Sequence, residues 1–306
     1  MKSNSLETHI AGLHLNSPTM LASGIMSYSV DFFQRIAKEG VGGIVTKSIG
    51  LESRKGFENP TIVQINNGFI NAMGLPNPGI ASYANEIKKA KNVLNIPLIV
   101  SVYGFSIEEY ETVAKKAINY GADAVELNVS CPHVKDTGLE IGQNPEKLFR
   151  AIKKVKNNVK KPVIVKLSPN VTNITEFATI AVEAGADALT ATNTIHAMAI
   201  DIESTKPILS NIFGGFSGPP IKPIILRCVY ELFKTVTVPI IGSGGITNWR
   251  DAIEFMLAGA SAIQIGTAIA LQNTKVFNDI NKGIKSYLKK KRFKNVEQIV
   301  GLSQKI

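Results

Sequence analysis

Eight short apolar runs recur along this chain, each followed by a longer stretch, and that alternation restricts the fold more than any other feature. The runs span 19–23, 43–47, 98–102 and 125–129 in the first half, then 163–167, 188–192, 239–242 and 262–265. The stretches between them carry mostly helical periodicity, as at 107–120 and 174–184. Strand alternating with helix implies a parallel sheet, and eight such units imply a closed (β/α)8 TIM barrel. A weak internal repeat agrees: Gly121-Ala122-Asp123, Gly185-Ala186-Asp187 and Gly259-Ala260-Ser261 each stand between a helix and the next strand. Glycine there ends the helix and permits the turn. An open doubly wound sheet would usually carry Gly-x-Gly-x-x-Gly after its first strand, and Leu21-Ala22-Ser23-Gly24-Ile25 lacks it. The expectation is one barrel domain over 1–306 that binds no NAD itself.

A chain of 306 residues, 44% hydrophobic, can bury a substantial core. No opening segment joins basic residues to a long apolar run, and no stretch reaches about 18 uninterrupted apolar residues. Neither export nor membrane spanning is expected, and a cytoplasmic enzyme is the default. Only Cys131 and Cys228 occur, which excludes a disulfide framework and any four-cysteine cluster held by this chain alone. The net charge of +10 could suit RNA or anionic small molecules, but its densest run, Lys289-Lys290-Lys291-Arg292, lies far from any strand end. That run reads as a solvated helix face rather than a nucleic-acid patch.

In such a barrel the chemistry sits at the C-terminal ends of the strands. Those ends carry Ser23-Gly24, Lys47-Ser48, Ser101, Asn128 to Cys131, Lys166, Asn193-Thr194, Gly242 to Gly245, and Gly266-Thr267. Two long connections, 51–79 and 197–220, read as lids or binding loops, and 132–144 as a third with Cys131 at its base. The glycine turns 214–218, 242–245 and 266–267 expose backbone N–H groups near the last strands, which points to a phosphate-bearing ligand. Lys47 and Lys166 end apolar strands, where a lysine is costly unless paired or solvated. Each could hold a carboxylate or the negative charge a flavin gains on reduction, or form a salt bridge to Glu126. Cys131 stands past its apolar run, after Asn128 and Ser130 and before Pro132, a setting for a reactive thiol rather than a packed one. Cys228, inside the helical pattern 224–233, reads as core. His133 and His196 raise a cysteine-histidine hydrolase or a metal site, but no ligand spacing supports a metal, and a hydrolase would leave the lysines and glycine turns without a role.

Taken in order, Thr46-Lys47-Ser48, Asn71-Ala72-Met73-Gly74-Leu75, Asn128-Val129-Ser130-Cys131-Pro132, Lys166-Leu167-Ser168-Pro169, Asn193-Thr194 and Gly214-Gly215-Phe216-Ser217-Gly218-Pro219 resemble the signatures of a class 1 dihydroorotate dehydrogenase. The resemblance runs from about 22 to 301. It implies an FMN-binding barrel that oxidises dihydroorotate to orotate in pyrimidine synthesis, with Cys131 taking the C5 proton while hydride leaves C6 for the flavin. It further implies that Lys47, Asn71, Ala72, Met73, Gly74, Leu75, Asn128, Asn193 and Thr194 hold the substrate. Ser23, Lys47, Ser48, Ser101, Asn128, Lys166, Thr192, Gly218, Gly244, Gly245, Gly266 and Thr267 would hold FMN. The form Asn-Ala-Met-Gly-Leu-Pro-Asn-Pro-Gly and the segment 196–207 look closer to the NAD-linked type, which works with an FAD and iron-sulfur partner subunit in a heterotetramer around a homodimeric core. Ser101 stands where the family commonly has an FMN-facing asparagine, and His133 where it commonly has asparagine. Two rivals remain at this point: a tRNA-dihydrouridine synthase, another FMN barrel with a loop cysteine, and a non-catalytic flavin-binding scaffold. The first needs a C-terminal RNA-binding domain, and only about forty residues follow the last strand.

Overall fold

The computed structural model describes residues 5–26, 28–130 and 138–305. Eight parallel strands close into a barrel: β1 (Thr19–Leu21), β2 (Gly43–Val45), β3 (Leu98–Val102), β4 (Ala124–Asn128), β5 (Val163–Lys166), β6 (Ala188–Ala191), β7 (Ile240–Ser243) and β8 (Ala260–Ile265). Each pairs with its neighbours in chain order, and β8 closes on β1. All eight expected strands are present. Several end short of the expected limit, so that Ser23, Lys47 and Thr192 sit just beyond their strands.

Side chains alternate across each strand, and both faces are buried. Outward residues such as Val125, Leu127, Val163, Val165 and Leu189 pack against the helices in one large core. The inward face changes character along the barrel. At its N-terminal end Met20, Val45, Ile99, Ala124, Ile164, Ala188, Ile241 and Ala262 form an apolar layer, one residue from each strand. Ile10 and Leu15, from a hairpin of Thr8–Ile10 and Leu13–Leu15, close that layer from below. Two residues further along the same strands come Lys47, Ser101, Glu126, Lys166, Thr190, Ser243 and Gln264, all buried and all polar.

The turns between helix and strand use the repeat seen in the sequence. Gly121, Gly185 and Gly259 all have positive φ, a backbone region closed to most side chains. Asp123 accepts from Leu98 N–H at 2.8 Å and pairs with Lys91, and Asp187 does the same with Val163 N–H at 2.8 Å and Lys156. Each aspartate thereby ties the start of one strand to the start of the next.

The two long connections do not remain loops. Strands Ile62–Ile65 and Gly68–Asn71 from the first, with Ile195–Ala197 and Gly214–Ser217 around the second, form a four-stranded antiparallel sheet. The expected glycine turn at 214–218 is therefore mostly a strand. Gly214 is required for packing, since a Cβ there would lie 2.6 Å from Ile70 Cγ2 and 2.7 Å from Leu209 Cδ1. Cys228 is buried in the helix Lys222–Thr235, and burial pushes its thiol pKa up. Lys289, Lys290 and Lys291 form the exposed last turn of the helix Val276–Lys291. Among the described residues, no helix is long and apolar enough to cross a membrane.

Candidate active site

A cavity of about 650 Å³ opens at the C-terminal end of the barrel, beneath the antiparallel sheet, within the size range of small-molecule and cofactor sites. Its walls come from all the strand ends except that of β3, and from the two insertions. Lys47 and Lys166 both line it while being 9% and 6% exposed. Lys166 is paired with the buried Glu126 carboxylate at 3.8 Å, so the excess positive charge that favours an anionic ligand comes mainly from Lys47.

The amide side chains on one wall are already organised. Asn128 Nδ2 donates to Ser48 Oγ at 2.9 Å, and Asn128 Oδ1 accepts from Ser130 Oγ at 3.2 Å. Asn193 Nδ2 donates to Ser130 Oγ at 2.9 Å, and its Oδ1 accepts from the Thr194 N–H at 2.8 Å. Ser130 thus bridges the amides carried by the ends of β4 and β6. Below them the Ser48 and Ser101 hydroxyls lie 2.8 Å apart. Ser101 is completely buried there and does not line the cavity.

The opposite wall is glycine-rich. Gly218, Gly244 and Gly245 have φ of +108°, +149° and +75°. A Cβ on Gly244 would lie 2.7 Å from Ile225 Cγ1, and one on Gly245 2.8 Å from the Lys222 backbone nitrogen. Their bare backbone is imposed by the helix behind them. Asp251 anchors this turn: it accepts from Lys222 Nζ at 2.8 Å and from the Thr247 N–H at 2.9 Å, and completes a capping box with Asn248. Burial acts to raise the Asp251 pKa, but the hydrogen bonds from Lys222 and Thr247 outweigh it and hold the carboxyl below its ordinary range. Thr267 closes the wall by donating to Ser217 Oγ at 2.9 Å.

The segment 71–77 forms the outer rim, with Asn71, Met73, Gly74 and Leu75 lining the cavity. Ala72 points away and is fully buried with Ile70 and Leu209. Asn77 fixes the segment: its Oδ1 accepts from Gly50 and Gly79 N–H, and its Nδ2 donates to Leu75 O and to Tyr103 Oη at 2.7 Å. The Tyr28 hydroxyl donates to Pro76 O, and Lys47 Nζ lies 5.7 Å from the centre of the Tyr28 ring. Burial, with Tyr103 nearby, pushes the Tyr28 pKa up to about 12, so its hydroxyl keeps its proton at neutral pH.

Of the expected site residues, Ser23, Ser48, Thr192, Thr194, Gly218, Gly244, Gly245, Gly266 and Thr267 join the two lysines and three asparagines around this one cavity. Cys131 and His133 lie outside the described residues. His196 lies on the exposed strand Ile195–Ala197, and no group of three or more metal-ligating side chains occurs among the described residues. Sequence reasoning missed Tyr28, Ser217 and Gln264 as lining residues. Gln264 was within reach of the period-two pattern, two residues after Ala262 and two before Gly266, whereas nothing local marks Tyr28.

A family model described as dihydroorotate dehydrogenase matches residues 5–288. A Pyrococcus abyssi protein, "Dihydroorotate dehydrogenase B (NAD(+)), catalytic subunit", is 51% identical over 301 residues, covering 98% of this chain and 100% of the relative. Relatives of the same name from Thermococcus kodakarensis, 52% identical over 97% of this chain and 98% of the relative, and from Methanocaldococcus jannaschii, 48% identical over 97% and 98%, extend the likeness.

Proposed function

The chain belongs to the dihydroorotate dehydrogenase family, type B, and oxidises dihydroorotate to orotate in pyrimidine biosynthesis; from that premise we propose how its site does so. The family implies a flavin, and we assign FMN. What supports this is a cavity that combines two buried lysines with bare glycine backbone at the ends of β7 and β8. That donor set suits a phosphate at one end and a ring system that gains negative charge at the other. Gly218, Gly244, Gly245, Gly266 and Thr267 hold the phosphate end, and Ser23, Ser48, Thr192 and Lys166 the remainder. When bound, the flavin supplies the two-electron acceptor for the hydride that leaves C6.

Lys47 holds the substrate carboxylate. Asn71, Asn128 and Asn193 each carry a donor and an acceptor on two atoms of one plane, which matches the ring amides as a single hydroxyl oxygen or a charge does not. Bonds of Asn128 and Asn193 to Ser48, Ser130 and Thr194, and of Asn71 Nδ2 to Gly215 O, fix the amide planes before substrate arrives, so little ordering remains to be done on binding. The antiparallel sheet limits access of water. Cys131 Sγ takes the proton from C5, so that loss of a proton and a hydride creates the C5–C6 double bond.

The observation that carries this reading is the convergence of Lys47, Asn71, Asn128, Lys166 and Asn193 on one cavity. Reduction of bound flavin by dihydroorotate in a single turnover tests it. C131A is expected to slow bleaching by about 10²- to 10⁴-fold, the usual contribution of a positioned base, and unchanged fast bleaching rules out Cys131 as the base. The relatives are named catalytic subunits of an NAD(+) enzyme. We extend this to a partner carrying FAD and an iron-sulfur cluster, bound to a cytoplasmic, homodimeric core of this chain. Full-rate NAD reduction by this chain alone would exclude that partner.

A further inference from the structure

Behind the cavity wall lies a carboxylate that the reaction does not use. Glu126, on β4, is completely buried and does not line the cavity. Its Oε2 accepts from Thr190 Oγ1 at 2.8 Å and from Gln264 Nε2 at 2.5 Å. Among the described residues its Oε1 has no hydrogen-bond partner, and it faces Lys166 Nζ across 3.8 Å. Gln264 turns its nitrogen to the carboxylate and its oxygen to the ammonium, accepting from Lys166 Nζ at 3.2 Å. Lys166 and Gln264 are the cavity-facing members of this group.

A buried carboxylate that makes only part of its hydrogen bonds is costly, and the apolar floor of the same barrel shows that the fold does not need one. Its position does have an electrostatic consequence. A cation next to a flavin stabilises the reduced form, which is the more negative, and a carboxylate 3.8 Å behind that cation offsets part of its field. We infer that Glu126 is a positioning residue that draws the Lys166 ammonium back from the cavity and offsets its charge, thereby holding down the reduction potential of the bound flavin. This rests on the flavin reading above.

Potentiometric titration of FMN-loaded protein against reference dyes tests it, beside FMN affinity and thermal melting. E126Q keeps the shape and one acceptor oxygen for Thr190 and Gln264 but removes the charge. It should favour reduced over oxidised FMN by about tenfold more than wild type, about 30 mV upward for a two-electron couple. E126D, which keeps the charge on a shorter arm, should give a smaller shift of the same sign. In a K166M background at saturating FMN, adding E126Q should move the potential by clearly less than it does in wild type, because no ammonium is left to reposition. An unchanged potential in folded E126Q, or in E126D if E126Q does not fold, overturns the inference, as does a shift of full wild-type size in the absence of Lys166. Failure of the wild-type chain to bind FMN would instead sink the flavin reading itself.

Discussion

The floor and the roof of this barrel are made by the same eight strands, two residues apart, and they answer to different demands. On β5, Ile164 packs into the apolar floor and Lys166 lines the cavity; on β4 the steps are Ala124, Glu126 and Asn128, and on β8 Ala262 and Gln264. Hydrophobic contact and close packing account for the floor. The roof holds two lysines, two serines, a glutamate, a threonine and a glutamine. It follows that polarity inside this barrel is tied to ligand chemistry and not to stability, since buried ion pairs seldom stabilise more than an apolar equivalent.

Exchanging the chemistry of the two layers should break that division most severely. Ile164→Lys places an unpaired ammonium in the floor, where Ile10, Leu15 and Met20 offer no oxygen acceptor and no counter-charge. A loss of at least about 3–5 kcal/mol is expected, read as a collapse of the denaturant midpoint; a midpoint near wild type would show that the floor admits water. A smaller effect belongs to the rim. Tyr28→Phe removes the hydrogen bond to Pro76 O and so loosens the segment 71–77, costing about 0.5–1.5 kcal/mol. The KM for dihydroorotate should rise by roughly 2- to 10-fold with melting temperature little changed, and an unaltered KM would detach Tyr28 from substrate binding.

The smallest effect concerns pH. The folded Asp251 carboxyl titrates below its unfolded value, so its contribution is fully present above the unfolded carboxylate range and is lost as pH falls through the folded pKa. Asp251→Asn should therefore lower the melting temperature at pH 7 by an amount that shrinks as pH drops from about 5 toward 3. A pH-independent difference would mean that shape, not charge, anchors the glycine turn.

The floor and the outer core were legible in the sequence because period-two alternation with both faces apolar leaves a continuous hydrophobic run, and eight such runs have few alternatives to a closed barrel. The lysines and asparagines of the roof were legible as polar interruptions at the ends of those runs. The rest depended on tertiary partners. Gly214–Ser217 reads as a turn by composition, yet it pairs with Gly68–Asn71, which lies about 145 positions earlier in the chain, and no local signal reports so distant a partner. Asn77 is visible as a turn former, but its bond to Tyr103 is not. The resemblance chose correctly between the flavin barrels, since the family match is to dihydroorotate dehydrogenase and not to the RNA-modifying rival.

The pairing of Phe69 with Ser217 and of Asn71 with Gly215 has a temporal consequence. A chain emerging from the ribosome can assemble its first six strands while 68–71 still lacks its central neighbour. The sheet over the cavity therefore cannot be completed until more than two thirds of the polypeptide has been made, and the glycine turns at 244 and 266 come later still. The binding pocket cannot be complete before residue 267 has been made, and a nascent chain stalled before residue 214 lacks both the sheet's central strand and the two strands that close the barrel.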